Sequence, residues 1–164
     1  MIRLVAAATL AFAGTGTAQQ VVILVRHAEK ATGPDAGQDP PLSPAGEERA
    51  KALAAHLKDA GVDVVYTSKY RRTKMTALPL LAATRKPHHD LDGDVAAKLR
   101  EQHKDQVVLI VAHSGVQMGV QTYIDQITGR RNGITLGEHD YDQMFILVRK
   151  KGDSWSVIRT RYGK

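Results

Sequence analysis

The sequence predicts an α/β fold, a three-layer α/β/α sandwich whose mainly parallel sheet ends in an antiparallel edge. Three observations predict it. Short strand-like runs alternate with segments of helical periodicity along most of the chain. Two of those runs, Val21–Val25 and Val107–Ala112, are apolar throughout, as strands covered on both faces are. The chain then closes on two more runs, Met144–Arg149 and Trp155–Arg161, separated by a Lys-Gly-Asp turn, which is the pattern of a hairpin.

The elements follow in order. Val21 to Val25 is the first strand. Ala31 to Pro41 is rich in Gly, Pro and Asp and is read as a loop. Ser43-Pro44 opens a helix, with Ser43 as N-cap and Pro44 in the first turn. Ala50, Leu53, Ala54, Leu57 and Ala60 give that helix one apolar face, and Gly61 ends it. Val62–Thr67 is a second strand and Arg71–Ala83 a second helix. Pro87–Leu91 reads as a short strand and Val95–Gln102 as a third helix. After the strand Val107–Ala112, a helix is expected from Val116 to Ile127, with Gly129 past its end.

The 164 residues suffice for one domain with a core. The first eighteen stand apart. Arg3 is their only charge, Leu4–Gly14 is a small apolar run, and small residues close the segment at Ala18. This is the layout of a secretory signal peptide, so the domain is expected over 19–164 and the protein is expected to be exported, to the periplasm or medium of a bacterium. The run is too short to span a bilayer, so no membrane association is expected once the leader is removed.

The formal net charge of +6 suggests an anionic partner. The cations are scattered and aromatic residues are only 5%, which argues against a nucleic-acid groove and leaves a local anion site. The absence of cysteine excludes disulfides, thiolate metal sites and thiol nucleophiles. His88-His89-Asp90 is not read as a metal site, because neighbouring side chains on an extended segment point to opposite faces.

In open α/β sheets ligands bind beyond the carboxyl ends of the strands. Arg26 and His27 follow the first strand, Ser68 and Arg72 the second, and His113 and Ser114 the strand Val107–Ala112. Three strand ends thus bring two arginines and two histidines to one rim. Guanidinium forks match phosphoryl oxygens with paired hydrogen bonds. A neutral imidazole is a competent nucleophile toward phosphorus, and nearby arginines disfavour its protonation. A helix starting near Ser114 would add free N–H groups to the rim. His113 can donate to a phosphoryl oxygen as charge shifts in the transition state.

These residues resemble a known family. Val25-Arg26-His27-Ala28-Glu29 resembles the Arg-His-Gly signature of the histidine phosphatase superfamily, the phosphoglycerate mutase-like branch 1, with Ala28 in place of glycine. Leu42-Ser43-Pro44-Ala45-Gly46 is similar to its Leu-Thr-x-x-Gly helix start, and Ser68–Ala77 to its Ser-x-x-x-Arg-x-x-x-Thr-Ala segment, with Arg72 and Thr76 in register. Val111–Gly115 resembles the block that carries the second histidine, and Gly137–Phe145 the tail of small exported bacterial members. The resemblance implies transfer of phosphate to His27 and release by water, a phosphate pocket of Arg26, Arg72 and His113, and no metal or organic cofactor.

The leaving oxygen needs a proton, which a carboxyl with a raised pKa usually supplies. The family places it between the third strand and third helix, where this chain offers Asp90, Asp92 and Asp94; Glu29 and Glu138 are further candidates. The expected activity is hydrolysis of phosphomonoesters on a small molecule or a phosphoprotein. Competing readings are a protein phosphohistidine phosphatase and a non-catalytic phospholigand-binding domain. A mutase would have to retain its phosphate, which an open site discourages.

Overall fold

The computed structural model describes residues 19–163, with the side chain of residue 35 excepted. The leader reading falls on residues 1–18 and lies outside the described residues. Ten main elements alternate as expected: β1 (Val21–Arg26), α1 (Pro44–Leu57), β2 (Val64–Thr67), α2 (Arg71–Thr84), β3 (His88–Asp90), α3 (Val95–Gln102), β4 (Val107–Ala112), α4 (Val120–Thr128), β5 (Gln143–Arg149) and β6 (Trp155–Arg161).

One six-stranded sheet runs in the order β3-β2-β4-β1-β5-β6. β1, β2, β3 and β4 are mutually parallel, while β5 is antiparallel to β1 and β6 to β5. The sheet's two faces carry separate cores. Val22, Leu24, Tyr66, Ile110 and Phe145 pack against Leu99 of α3 and Ile124 of α4. Ile23, Val25, Val65, Leu109 and Met144 pack against Leu53 of α1 and Leu80 of α2. Period-two alternation along buried strands therefore feeds both layers, which is why β1 and β4 had to be apolar throughout.

Register fixes the rim. Arg26 pairs with Ala112 and Thr67 with Val111, so β1, β2 and β4 end nearly level. The residues that follow, His27, Ser68 and His113, emerge side by side.

Two helix boundaries differ from expectation by more than one residue. Helix α1 stops at Leu57, before Gly61, leaving Ala60 exposed in the turn. Helix α4 begins at Val120, not Val116. The cause is a staple at its base: His113 N–H donates to the Met118 carbonyl at 2.9 Å, and Val120 N–H donates back to the His113 carbonyl at 2.9 Å. Residues 114–118 thus leave His113 and return to it as a loop. Gly119 closes that loop so tightly that a Cβ there would lie 1.9 Å from the Gly115 carbonyl oxygen. No helix N-terminus therefore faces the rim from Ser114.

Candidate active site

Beyond the level strand ends lies a cavity of about 520 Å3 lined by Arg26, His27, Lys30, Tyr70, Arg72, His113 and the loop Ser114–Met118. The five residues expected at an anion site, Arg26, His27, Arg72, His113 and Ser114, all line it.

His27 is 4% exposed. Its Nδ1 lies 2.7 Å from the Ala28 carbonyl oxygen. A carbonyl can only accept, so Nδ1 carries the proton and Nε2 keeps a free lone pair. Burial pushes the His27 pKa down from 6.5 to about 3, and His113, Arg26 and Arg72 push the same way. The Ala28 bond favours protonation and is outweighed. The arginines thus assist, but burial is the larger cause of a neutral His27.

Three contacts fix the backbone beneath this ring. Ala28 N–H donates to Thr76 Oγ1 at 2.9 Å, and Thr76 Oγ1 donates to the Arg72 carbonyl at 2.7 Å. Ala28 itself is fully buried against Leu42 and Ala50. Its φ is not positive, so the methyl group in place of glycine carries no backbone strain. Third, α1 crosses the Glu29 backbone so closely that a Cβ on Gly46 would meet the Glu29 carbonyl oxygen at 2.1 Å. Ser43 caps the same helix by accepting from Gly46 N–H at 3.2 Å.

Arg26, 6% exposed, lies with its guanidinium carbon 4.0 Å from the centre of the Tyr141 ring. One Nη donates to the carbonyls of Gly137 at 3.0 Å and Glu138 at 2.8 Å. Its buried Nε has no partner among the described residues. Arg72 is held between Asp39 at 3.5 Å and Nδ1 of His113 at 3.4 Å, with Tyr70 under its plane at 4.5 Å. The His27 and His113 rings stand 5.2 Å apart, edge to face. Burial, with Arg72 and then Arg26, lowers the His113 pKa from 6.5 to about 4, while Asp39 opposes the shift. The pocket therefore presents two cationic guanidiniums and two neutral imidazoles at neutral pH, a combination suited to a phosphoryl dianion.

Both the sequence and the sheet resemble known proteins. The profile of the histidine phosphatase superfamily (branch 1) matches residues 22–94. Residues 22–94 are thus similar to that superfamily. Phosphoserine phosphatase 1 of Hydrogenobacter thermophilus is 42% identical over 66 residues, which cover 38% of this chain. The match spans 31% of that protein, so this chain aligns with about a third of the length of its curated relative. Among solved structures, the protein histidine phosphatase SixA complexed with tungstate has a TM-score of 0.67 at 16% identity, covering 86% of this chain and 96% of its own. A mycobacterial glucosyl-3-phosphoglycerate phosphatase gives 0.63 at 17%, covering 85% and 97%. A phosphoserine phosphatase of Entamoeba histolytica gives 0.60 at 17%, covering 88% and 97%. At such identities these similarities speak for the shared phosphoglycerate mutase-like fold.

The expected proton donors are not brought to the pocket. Asp92 is exposed and bound to Lys98, which holds its carboxyl below the usual range. Asp90 pairs with Lys74 at 3.3 Å. Asp94 caps α3 by accepting from Ala97 N–H at 2.9 Å. Burial acts to raise Glu29, but the fork from Arg49, with contacts of 2.7–2.9 Å, outweighs it and holds the carboxyl low. Glu138 contributes its carbonyl to Arg26. No carboxylate among the described residues lines the cavity.

Four participants were not singled out from the sequence: Lys30 and Tyr70 in the wall, Asp39 beside Arg72, and Tyr141 against Arg26. Asp39 also receives the Arg71 N–H on both carboxylate oxygens at 3.1 Å, so it caps α2 from a distant loop. The two histidines of β3 go separate ways: His88 Nε2 lies 2.8 Å from Thr67 Oγ1, and the His89 ring lies 5.4 Å from the Tyr66 ring. No cluster of three His, Asp or Glu fit for a metal occurs among the described residues. No helix there is long and apolar enough to cross a membrane.

Proposed function

We propose that this protein is a phosphatase that hydrolyses phosphomonoesters through a phosphohistidine on Nε2 of His27. The observation that carries the reading is the orientation of His27. Its Nδ1–H is committed to the Ala28 carbonyl, so the lone pair of Nε2 belongs to a pocket walled by Arg26 and Arg72.

In the first step the Nε2 lone pair attacks phosphorus. The bond from phosphorus to the leaving oxygen breaks, and that oxygen departs with its electron pair and takes a proton from water or from the phosphoryl monoanion. Arg26 and Arg72 hold the equatorial oxygens, and the unpartnered Nε of Arg26 is a donor such an oxygen would satisfy. Ser114 borders the same space. In the second step water attacks phosphorus, the P–N bond breaks, its electron pair returns to Nε2, and orthophosphate leaves. Residues of this chain supply the nucleophile and the groups that hold the phosphoryl oxygens, water and substrate supply the protons, and the scheme calls on no cofactor or metal.

One observation favours a second reading. With no carboxylate in the cavity wall among the described residues, phosphates with good leaving groups should be preferred, and a phosphohistidine on a protein or an acyl phosphate is of that kind. The same proposal includes export after removal of residues 1–18; an intact Met1 on protein purified from its native host would count against it.

The test is turnover of p-nitrophenyl phosphate, an alkyl phosphate and a phosphohistidine peptide, without added metal, by wild type and His27→Ala. Wild type should turn over at least one of them, and His27→Ala should lose at least about 1000-fold, the scale of losing a covalent nucleophile. Equal activity of the two proteins sinks the assignment. Inactivity of wild type on the whole panel would leave a phospholigand-binding domain.

A further inference from the structure

We infer that Ser68 is a positioning residue that fixes the tautomer of His113 and makes Nδ1 the working nitrogen of that ring. The inference rests on the proposed phosphate pocket for its consequence, but the tautomer itself follows from contacts around His113.

Arg72 Nη2 lies 3.4 Å from His113 Nδ1, and a guanidinium only donates. Nδ1 must therefore accept, and the ring proton sits on Nε2. Nε2 lies 2.8 Å from Ser68 Oγ, which is fully buried. Ser68 Oγ accepts that proton and lies 2.8 Å from Thr73 Oγ1. Thr73 Oγ1 in turn is 2.8 Å from the Tyr70 carbonyl and 3.0 Å from the Ser68 carbonyl. Both are acceptors only, so the Thr73 proton goes to one of them and the Ser68 proton goes to Thr73. The chain His113 Nε2–H, Ser68 O–H, Thr73 O–H, carbonyl runs in one direction. Reversing it would strip Thr73 of its carbonyl and aim an Nδ1–H at a guanidinium.

The two histidines consequently present opposite nitrogens to the pocket, Nε2 from His27 and Nδ1 from His113. A phosphoryl oxygen arriving at Nδ1 meets an acceptor and not a donor. His113 must then gain a proton there, taken from the phosphoryl monoanion or from water. Ser68 still accepts from Nε2–H, so the imidazolium is held between a hydroxyl oxygen and the anion. The groups facing His113 are Arg72, Tyr70, Ser68 and Thr73 from the β2–α2 side, Arg26 and His27 from the end of β1, and Asp39 from the loop before α1. Of these, only Asp39 favours the proton before an anion binds.

The test combines side-chain 15N NMR of free and phosphate-titrated protein with pH–rate profiles on the best substrate found above. Wild type should show the Nε2–H tautomer of His113 when free and proton uptake at Nδ1 with inorganic phosphate. Ser68→Ala should mix the tautomers, lower kcat by about 10–100-fold with KM changed less than about threefold, and move the basic limb to lower pH. Ser68→Thr should restore most of kcat. Should Ser68→Ala fail to fold, Thr73→Val removes the acceptor that directs Ser68 and should mix the tautomers in the same way. An Nδ1–H tautomer in free wild type, or wild-type kcat and pH profile in Ser68→Ala, overturns the inference. The NMR arm needs no turnover, so failure of the phosphatase reading is seen separately, as an inactive wild type with the expected tautomer.

Discussion

Two stretches of this molecule follow the ends of neighbouring strands and carry equally suggestive residues, yet they differ in kind. At the ends of β1, β2 and β4, His27, Ser68 and His113 are buried, and each makes a named hydrogen bond to a neighbour. After β3, Asp90, Asp92 and Asp94 are exposed and pair with lysines or cap a helix. Buried polar groups are expensive without partners, so the first stretch can hold only one arrangement, while the second tolerates many. Reactivity needs the first condition: a side chain whose protonation and aim are dictated by its surroundings.

The strongest way to break the comparison is to loosen the buried rim without touching a reacting atom. Thr76→Val removes the acceptor of Ala28 N–H, a buried donor, and should cost about 1–3 kcal/mol in denaturant unfolding. It should also lower kcat by about tenfold or more by releasing the His27 backbone, with Thr76→Ser close to wild type. Wild-type kcat in a destabilised Thr76→Val would mean that the backbone clamp does not aim His27.

Acid sharpens the contrast next. Folded His27 and His113 titrate near 3 and 4, below their ordinary 6.5. Between those values the unfolded chain binds more protons, so their contribution to stability is complete above pH 6.5 and is lost as pH falls toward 4. Unfolding at pH 5 should show a loss of up to about 4 kcal/mol relative to pH 7.5, about half of it removed in His27→Ala. An identical pH slope in wild type and variant would contradict a neutral, buried His27.

The exposed stretch should answer least. Asp92→Asn should leave kcat/KM within about twofold, since an ion pair screened by solvent contributes little and this one lies off the pocket. Asp94→Ala should cost about 1 kcal/mol of stability through its cap and leave kcat alone. A large loss of kcat in either would reinstate a proton donor after β3.

How much could be read from the sequence divides along the same line. Strand runs, the Ser43 cap and the positions of Arg26, His27, Arg72 and His113 at strand ends were legible, because apolar periodicity and caps are local signals. The loop Ser114–Met118 was not: Val116 and Met118 continue an apolar pattern, but the backbone staple at His113 and the tight passage at Gly119 postpone the helix. Nor was the partnership of Ser68 with His113, 45 positions apart, or of Asp39 with Arg72. Such bonds depend on strand register, which single-strand patterning does not encode. The fate of the carboxylates was hidden for a related reason: chain position does not say where Asp90, Asp92 or Glu29 points, whereas their lysine and arginine partners decide it.

The reversal of β5 has a consequence for how this pocket can diversify. Because β5 runs against β1, it starts at the rim where its parallel neighbours stop, and the chain before it delivers the Gly137 and Glu138 carbonyls to Arg26. The segment between Gly129 and Asp142 is tied down on the way, by Asn132 on Asp125 and by Ile134 and Leu136 against the core. Its reach to the pocket is through the two carbonyls that hold Arg26, so a change of length there would act first on the aim of that guanidinium.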